Sequence, residues 1–188
     1  MAHGTKLRVV SGCTGCSAEA AVLQALDVPF IVVSASEQNA EYRKFFLQNY
    51  PGKFQHVFCK LEDQLKEGAC SLHNCEATCV SRSDRSNIDL MITGSPCDPF
   101  SLQRAKRFSH DGVKCHPDFL TTMKSVVSMY SLYEPRVAIL EQVKGFTMPF
   151  EVGTTESPMD RLVGGRDWGG GMSKSLRNVQ ESKLTGCT

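Results

Sequence analysis

The stretch Asp89-Leu90-Met91-Ile92-Thr93-Gly94-Ser95-Pro96-Cys97-Asp98-Pro99-Phe100-Ser101 decides how the chain is read. Leu90, Met91 and Ile92 form an apolar run too short for a helix and bounded by turn residues, which predicts a buried strand. Gly94, Pro96 and Pro99 then favour neither helix nor ladder, so the backbone must turn sharply. Cys97 sits inside that turn, between two prolines that stiffen the backbone around it. Open α/β sheets gather their ligands at the carboxyl ends of their strands, so a thiol placed there is well sited to act as a nucleophile. Free cysteine is more often a packing residue than a reactive one, and the rest of the chain must decide between the two.

Upstream, Leu7, Val9 and Val10 predict a first strand. Gly12 and Gly15 follow in a turn of small residues, Ser11-Gly12-Cys13-Thr14-Gly15-Cys16-Ser17. Ala18 to Leu26 are strong helix formers, with Ala21, Val22 and Ala25 expected on one apolar face. Strand, glycine turn and helix open a nucleotide-binding βαβ unit, although this turn does not match the dinucleotide fingerprint. A βα turn that binds nothing fits the same residues. Phe30 to Val33 predict a second strand, ended by Ser34-Ala35-Ser36-Glu37. Glu37 stands at about the separation from the glycine turn at which this fold class places an acid on ribose hydroxyls. A place in the first turn of the following helix accounts for it equally well. That helix is expected over Ala40 to Asn49, with Tyr42, Phe45 and Phe46 apolar and Pro51-Gly52 as its stop. His56 to Phe58 predict a short third strand, and Leu61 to Leu65 a helical turn.

Downstream of the central turn, Phe119, Met123, Val126, Val127 and Tyr130 recur at three- and four-residue spacing, which predicts a helix with a core-packing stripe over Pro117 to Tyr133. Pro135 ends it. Val137 to Leu140 predict a further strand, with Glu141 at its carboxyl end. Cys97 and Glu141 therefore close successive strands. In a parallel sheet both reach the edge that carries the glycine turn and Glu37. From Thr147 onward glycine and polar residues take over, and Trp168 is the only large anchor. The expected organisation is a domain over residues 1–147 and a Gly-rich irregular tail over 148–188.

A net charge of +1 over 188 residues supplies no global basic field for nucleic acid. The cluster Arg104, Lys106 and Arg107 is of a size that usually marks a solvated face. Nine cysteines with neither a signal-type segment nor a membrane-length apolar run fit a reducing, intracellular compartment. Cys70, His73, Cys75 and Cys79, in a polar stretch without period between Lys66 and Asn87, have the atoms for a tetrahedral metal site. Their spacing is not the paired form of zinc motifs, so no metal is expected. Cys13 and Cys16 have C-x-x-C spacing, but they occupy the turn where a cofactor would sit.

These motifs resemble the N-terminal part of the catalytic domain of the C5-cytosine DNA methyltransferases. Pro96-Cys97-Asp98-Pro99-Phe100-Ser101 is similar to that family's nucleophile motif, and Glu141-Gln142-Val143 to its Glu-Asn-Val motif. Val10 to Gly15 resembles its glycine motif, and Ser36-Glu37 the acidic end of its second strand. The order and spacing agree over roughly residues 6 to 147. The resemblance implies a Rossmann-like S-adenosylmethionine-dependent methyltransferase fold: a mostly parallel sheet with helices on both faces, incomplete at the C-terminus. It implies methyl transfer from S-adenosyl-L-methionine to C5 of cytosine in DNA, with RNA as the other substrate, in the nucleus or another DNA-containing compartment, otherwise in the cytoplasm. Cys97 would be the nucleophile, and Glu141, buried enough to keep a proton, the donor to N3. Ser11, Gly12, Gly15, Glu37 and Pro96 would lie at the cofactor.

The chain also departs from the family pattern. Its turn holds fewer glycines, and Lys60 stands where an Asp near the adenine is expected, with Asp63 as substitute if the turn is longer. Gln142 replaces Asn. No Gln-x-Arg-x-Arg motif, target-recognition region or closing C-terminal segment follows Glu141, so the sheet is expected to end on an unpaired edge. A missing half supplied by another segment or chain is one expectation, and a catalytically inactive binding module is the alternative. A thiol or redox enzyme is a third reading, which needs His110 or His116 beside Cys97.

Overall fold

Every strand of the sheet runs parallel to its neighbours. The computed structural model describes residues 6–66, 68, 70–73, 79 and 87–164. Its strands are β1 (Leu7–Gly12), β2 (Phe30–Ser36), β3 (Val57–Phe58), β4 (Leu90–Thr93) and β5 (Val137–Leu140), in the spatial order β3-β2-β1-β4-β5. The chain winds outward from β1 to β2 and β3, then crosses back to β4 and β5. The order reverses between β1 and β4, the place where open α/β sheets leave a crevice at their carboxyl edge.

Period-two alternation splits the core into layers. Val9 and Val32 point to one face, where Ala20 and Leu23 of α1 (Ala18–Ala25) and Phe46 of α2 (Ala40–Asn49) cover them. Val10, Val33 and Met91 point to the other, against Leu61, Val126, Met129 and Tyr133. These come from a 3₁₀ turn (Leu61–Leu65) and from a π-helical segment (Thr121–Val126) that runs straight into α3 (Val127–Tyr133). The expected Rossmann-like fold with helices on both faces is the fold observed. Asn39 caps α2 by accepting from the amides of Glu41 and Tyr42 at 2.8 and 3.4 Å.

The third, fourth and fifth strands agree with the sequence reading to within a residue, whereas β1 runs on to Gly12 and β2 continues to Ser36, three residues past the expected end at Val33. All five residues of the expected core stripe over 117–133 are buried. Two helix faces differ. In α1 the buried residues are Glu19, Ala20 and Leu23, while Val22 is 55% exposed. The helix turns Ala20 and Leu23 to the sheet and leaves Ala18, Ala21 and Ala25 outward, and Glu19 is tolerated on the buried side because Ser17 Oγ donates to it at 2.8 Å. In α2 only Phe46 is buried, where it stacks on Phe54 at 4.5 Å, and Tyr42 and Phe45 face outward.

Beyond the sheet, a third cluster gathers Phe100, Val113, Phe119, Met123, Val127, Phe146, Phe150 and Leu162. Of the stretch expected as an irregular tail, residues 148–164 contribute Phe150 and Leu162 to this cluster and carry α4 (Pro158–Gly164). Ser157 starts α4 through reciprocal bonds with Asp160. Residues 165–188, including Trp168, lie outside the described residues. No helix among the described residues is long and apolar enough to cross a membrane.

The two edges of the sheet differ. β3 is flanked by the segment around Ser71, whose amide and hydroxyl both donate to the Val57 carbonyl at 2.7 Å. β5 has no further strand beyond it among the described residues, and Val137 and Ile139 are about half exposed, at 55% and 48%. The unpaired edge expected from the sequence is therefore present at β5.

Candidate active site

The first βα turn is built from alternating backbone hands. Cys13, Gly15 and Ser17 have φ of 54°, 56° and 62°. Only the middle one is glycine, so two non-glycine residues occupy the left-handed region at a cost of order 1–3 kcal/mol each. This is the physical content of the turn's shortage of glycine. The turn is held from the second strand: Thr14 N–H donates to Ser36 O at 2.9 Å, and Gly15 N–H donates to Glu37 Oε2 at 2.7 Å. Glu37 Oε1 accepts in addition from Asn39 N–H at 2.8 Å. Glu37 thus ties the glycine turn to the start of α2, and a carboxylate has about four acceptor positions, of which these bonds use two.

Beside this turn lies a cleft of about 450 Å³, lined by Cys13, Ser36, Glu37 and Gln38 on one side, Cys59, Lys60, Leu61 and Glu62 below, and Gly94, Pro96, Asp118 and Thr121 on the other. It opens at the carboxyl ends of β1, β2, β3 and β4, where the topology predicts it. Of the five residues expected at the cofactor, Glu37 and Pro96 line it directly. Ser11 is buried within β1 and Gly12 stands behind the wall. A β-carbon on Gly12 would come within 2.8 Å of Leu61 Cδ1 and 2.9 Å of Thr93 Cγ2, so glycine is required there by packing between the layers. Gly15 reaches the site through its bond to Glu37.

The acid at the far end of the cleft is Glu62, which accepts from Ser125 Oγ at 3.1 Å. Asp63, the substitute expected if the turn were longer, is not among the lining residues. The turn after β3 is short, so the first acid of the 3₁₀ turn is the one that faces the cleft. The only signal in the sequence is an acid three residues past Cys59. Cys13 is pressed into the same wall. Burial, and secondarily the charges of Glu37 and Glu62, push its thiol up from 9.0 to about 12. A thiol so held is a poor nucleophile, and Cys16 is exposed, which argues against the Cys13/Cys16 redox reading.

Cys97 follows Pro96 at the start of a one-turn 3₁₀ helix (Asp98–Phe100) and is part-exposed. Glu141 follows β5, whose register pairs Thr93 with Leu140, and its amide donates to Thr93 O at 2.9 Å. Its Oε2 lies 3.7 Å from the point where a β-carbon of Gly94 would stand, so the carboxylate reaches across to the loop that carries Cys97. Both groups occupy the same sheet edge, as expected. The expected burial of Glu141 is not observed: it is exposed, because it stands at the end of the unpaired edge strand. Among the described residues nothing hydrogen-bonds its carboxylate or the Cys97 thiol. His110 pairs with Asp111 at 3.2 Å, and His116 accepts from the amide of Asp118, so neither imidazole is engaged with Cys97.

The loop holding Cys97 is braced from three sides. Gln142 Nε2 donates to Ser95 O and Ser95 Oγ at 2.8 and 2.9 Å, and Thr122 Oγ1 donates to Ser95 Oγ at 2.8 Å. Behind it, Arg107 is fully buried and its guanidinium donates to five main-chain carbonyls. These are Phe100, Phe150, Gly145 and Pro149 at 3.0–3.3 Å, and Met148 at 3.4 Å. Arg104 Nη2 donates to Pro99 O and Gly112 O. The basic cluster expected on a solvated face is thus, in these two arginines, an internal clamp. Arg107 turns inward because segment 145–150 passes over it with main-chain carbonyls that a five-donor fork can satisfy together. Burial lowers its pKa below the usual guanidinium range, with the charge of Arg104 adding to the effect.

No family model and no curated protein matches the chain. Among solved structures, it is similar to a DNMT2 mutant from Spodoptera frugiperda, with a TM-score of 0.48 and 16% identity over 76% of this chain and 37% of that one. It is also similar to the Dnmt2 methyltransferase of S. pombe, with a TM-score of 0.43 and 14% identity over 76% of this chain and 36% of that one. The chain spans a little over a third of the length of either structure.

Proposed function

We propose that the chain forms part of a methyltransferase that uses S-adenosyl-L-methionine to methylate cytosine at C5 in DNA, with RNA as the other substrate. The observation that carries this reading is that Cys97 and Glu141 follow the adjacent parallel strands β4 and β5 at one sheet edge, with the Glu141 carboxylate beside Gly94 and next to a cleft bounded by Glu37 and Glu62. The cleft's residues fit the cofactor. Its volume falls within the roughly 300–1,000 Å³ of small-molecule sites, Glu37 keeps acceptor capacity for ribose hydroxyls, and two carboxylates suit a cationic ligand. When bound, S-adenosylmethionine would supply an electrophilic methyl group.

The chain's own residues would do the rest. The thiolate of Cys97 would add to C6 of the base, pushing electron density to C5, which is otherwise a poor nucleophile. Glu141 would donate to N3, where charge develops. A base seated against Gly94 would cover Glu141 and take it out of water. In duplex DNA the base would have to leave the stack to reach the thiol. The open edge at β5 suits a further segment or chain that would complete the target-binding side.

Incubation with S-adenosylmethionine and DNA containing 5-fluorocytosine tests this. A covalent protein–DNA adduct is expected, abolished in Cys97→Ser and in Glu141→Gln slowed by about 10²–10⁴-fold. An adduct that persists in Cys97→Ser would overturn it. A second reading, a cofactor-binding module without catalysis, is favoured by one observation, the exposure of Glu141 without a partner. It expects retention of S-adenosylmethionine, weakened in Glu37→Ala, and no adduct.

A further inference from the structure

At the far edge of the sheet, away from Cys97, four side chains from two segments turn toward one point. His56 lies just before β3, and Cys70, His73 and Cys79 come from the chain that follows the 3₁₀ turn. Each offers one ligand atom, and all four atoms lie within 4.8 Å of one another. Cys70 Sγ is 3.2 Å from His73 Nδ1 and 3.8 Å from His56 Nδ1, and the two imidazoles meet edge-on at 5.1 Å. With zinc–sulfur bonds of about 2.3 Å and zinc–nitrogen bonds of about 2.0–2.1 Å, the edges of a tetrahedral Cys₂His₂ site are about 3.4–3.8 Å. The two measured sulfur–nitrogen distances bracket that range, and the outer limit exceeds it by about an ångström. Cys70 and Cys79 also pack on Phe58, but packing alone does not account for two ring nitrogens turned toward the Cys70 thiol with Cys79 Sγ in the same cluster.

We propose that His56, Cys70, His73 and Cys79 bind one zinc ion. Two thiolates balance the charge of the ion, two imidazoles complete the tetrahedron, and this donor set suits zinc over magnesium or calcium. With four protein ligands the site is closed, hence structural. It fastens the segment that covers β3, where Ser71 bonds the Val57 carbonyl, to the residue that precedes the strand. The edge strand is thereby covered. The loop closed between His56 and Cys70 contains Cys59, Lys60, Leu61 and Glu62, so the ion also holds the floor of the cleft. The spacing in the sequence conceals the site because one ligand, His56, lies before the strand and outside the cysteine-rich stretch. Cys75, weighed as a ligand on sequence, lies outside the described residues.

The whole chain, purified without chelator, is expected to carry one zinc per molecule. X-ray absorption at the zinc edge is expected to show two sulfur neighbours at about 2.3 Å and two nitrogen neighbours at about 2.0 Å. Cobalt substitution should give intense tetrahedral d–d bands and thiolate charge-transfer bands, lost in Cys70→Ser with Cys79→Ser and unchanged in Cys13→Ser with Cys16→Ser. His73→Ala, at an exposed ligand, should weaken zinc binding by more than about 100-fold, since loss of an outer-shell partner alone costs 10–100-fold. Zinc shells without sulfur would overturn the proposal, as would cobalt bands that survive loss of Cys70 and Cys79 or vanish with Cys13 and Cys16. Neither measurement depends on cytosine or cofactor.

Discussion

Arg107 shows how one side chain can hold a functional loop without touching its chemistry. Its five carbonyl acceptors belong to Phe100, just after Cys97, and to the segment 145–150 that follows Glu141. A lysine has the charge but only three donors on a compact head, so it cannot span the same carbonyls. Arg107→Lys is therefore expected to lower unfolding free energy by about 3–5 kcal/mol, since each buried carbonyl left unpaired costs about 1–3 kcal/mol. Urea denaturation of the variant against the wild type measures this, and a loss under about 1 kcal/mol would contradict the clamp. Nothing in Arg104-Ala105-Lys106-Arg107 marks the last residue as internal. Local charge pattern reports the solvated face by default, and only the later segment at 145–150 creates the need for a buried fork. Glu141 is the converse case. Its place at a strand end could be read from the residues, but its exposure depends on what stands beyond β5.

Three elements meet at Ser95: the loop after β4, the loop after β5 through Gln142, and the π-helical segment through Thr122. A π turn adds a residue relative to an α-helix, which shifts the register of what it presents, and such turns often accompany functional sites. Here Thr121 faces the cleft and Thr122 faces Ser95. Thr122→Val and Gln142→Leu are each expected to cost about 1–2 kcal/mol. Because both bond the same hydroxyl, the double variant should cost less or more than their sum by at least about 0.5 kcal/mol. A double-mutant cycle in thermal or denaturant unfolding measures the coupling, and strict additivity would mean that the two contacts act separately. The inner strands were legible because burial on both faces leaves unbroken apolar runs, and the core stripe from Phe119 to Tyr130 because its large apolar residues recur at helical spacing. The faces of α1 and α2 were not. Short helices with few large residues leave the choice of buried side to whichever residues match the sheet, and Phe45 and Phe46 differ only in that match. The π segment leaves no mark in the spacing at all.

Across the molecule, two groups on the layer opposite α1 and α2 keep protons that the unfolded chain would release in alkali. Burial pushes Cys13 up to about 12, with Glu37 and Glu62 adding to it. Burial also pushes Tyr130 up from 10.0 to about 12, against the opposing effect of its 3.0 Å bond with Thr93. Both folded pKa values are raised, so the stabilisation is fully present below the unfolded values and is lost as pH rises toward the folded ones. For Cys13 the window runs from 9.0 to about 12, and for Tyr130 from 10.0 to about 12. Inside it the unfolded state binds fewer protons than the folded one, so stability falls by at most about 1.4 kcal/mol per pH unit for each group. Denaturant unfolding between about pH 8 and about pH 11 should therefore show a steepening decline. Cys13→Ser should flatten the part that begins near pH 9, while Tyr130→Phe should flatten only the part above 10. Cys13 follows β1 and Tyr130 bonds Thr93 at the end of β4, both in the same apolar layer, so loss of their protons acts beside the cleft. A decline of unchanged slope in Cys13→Ser would mean that the thiol is not held in the wall of the cleft as the structure has it.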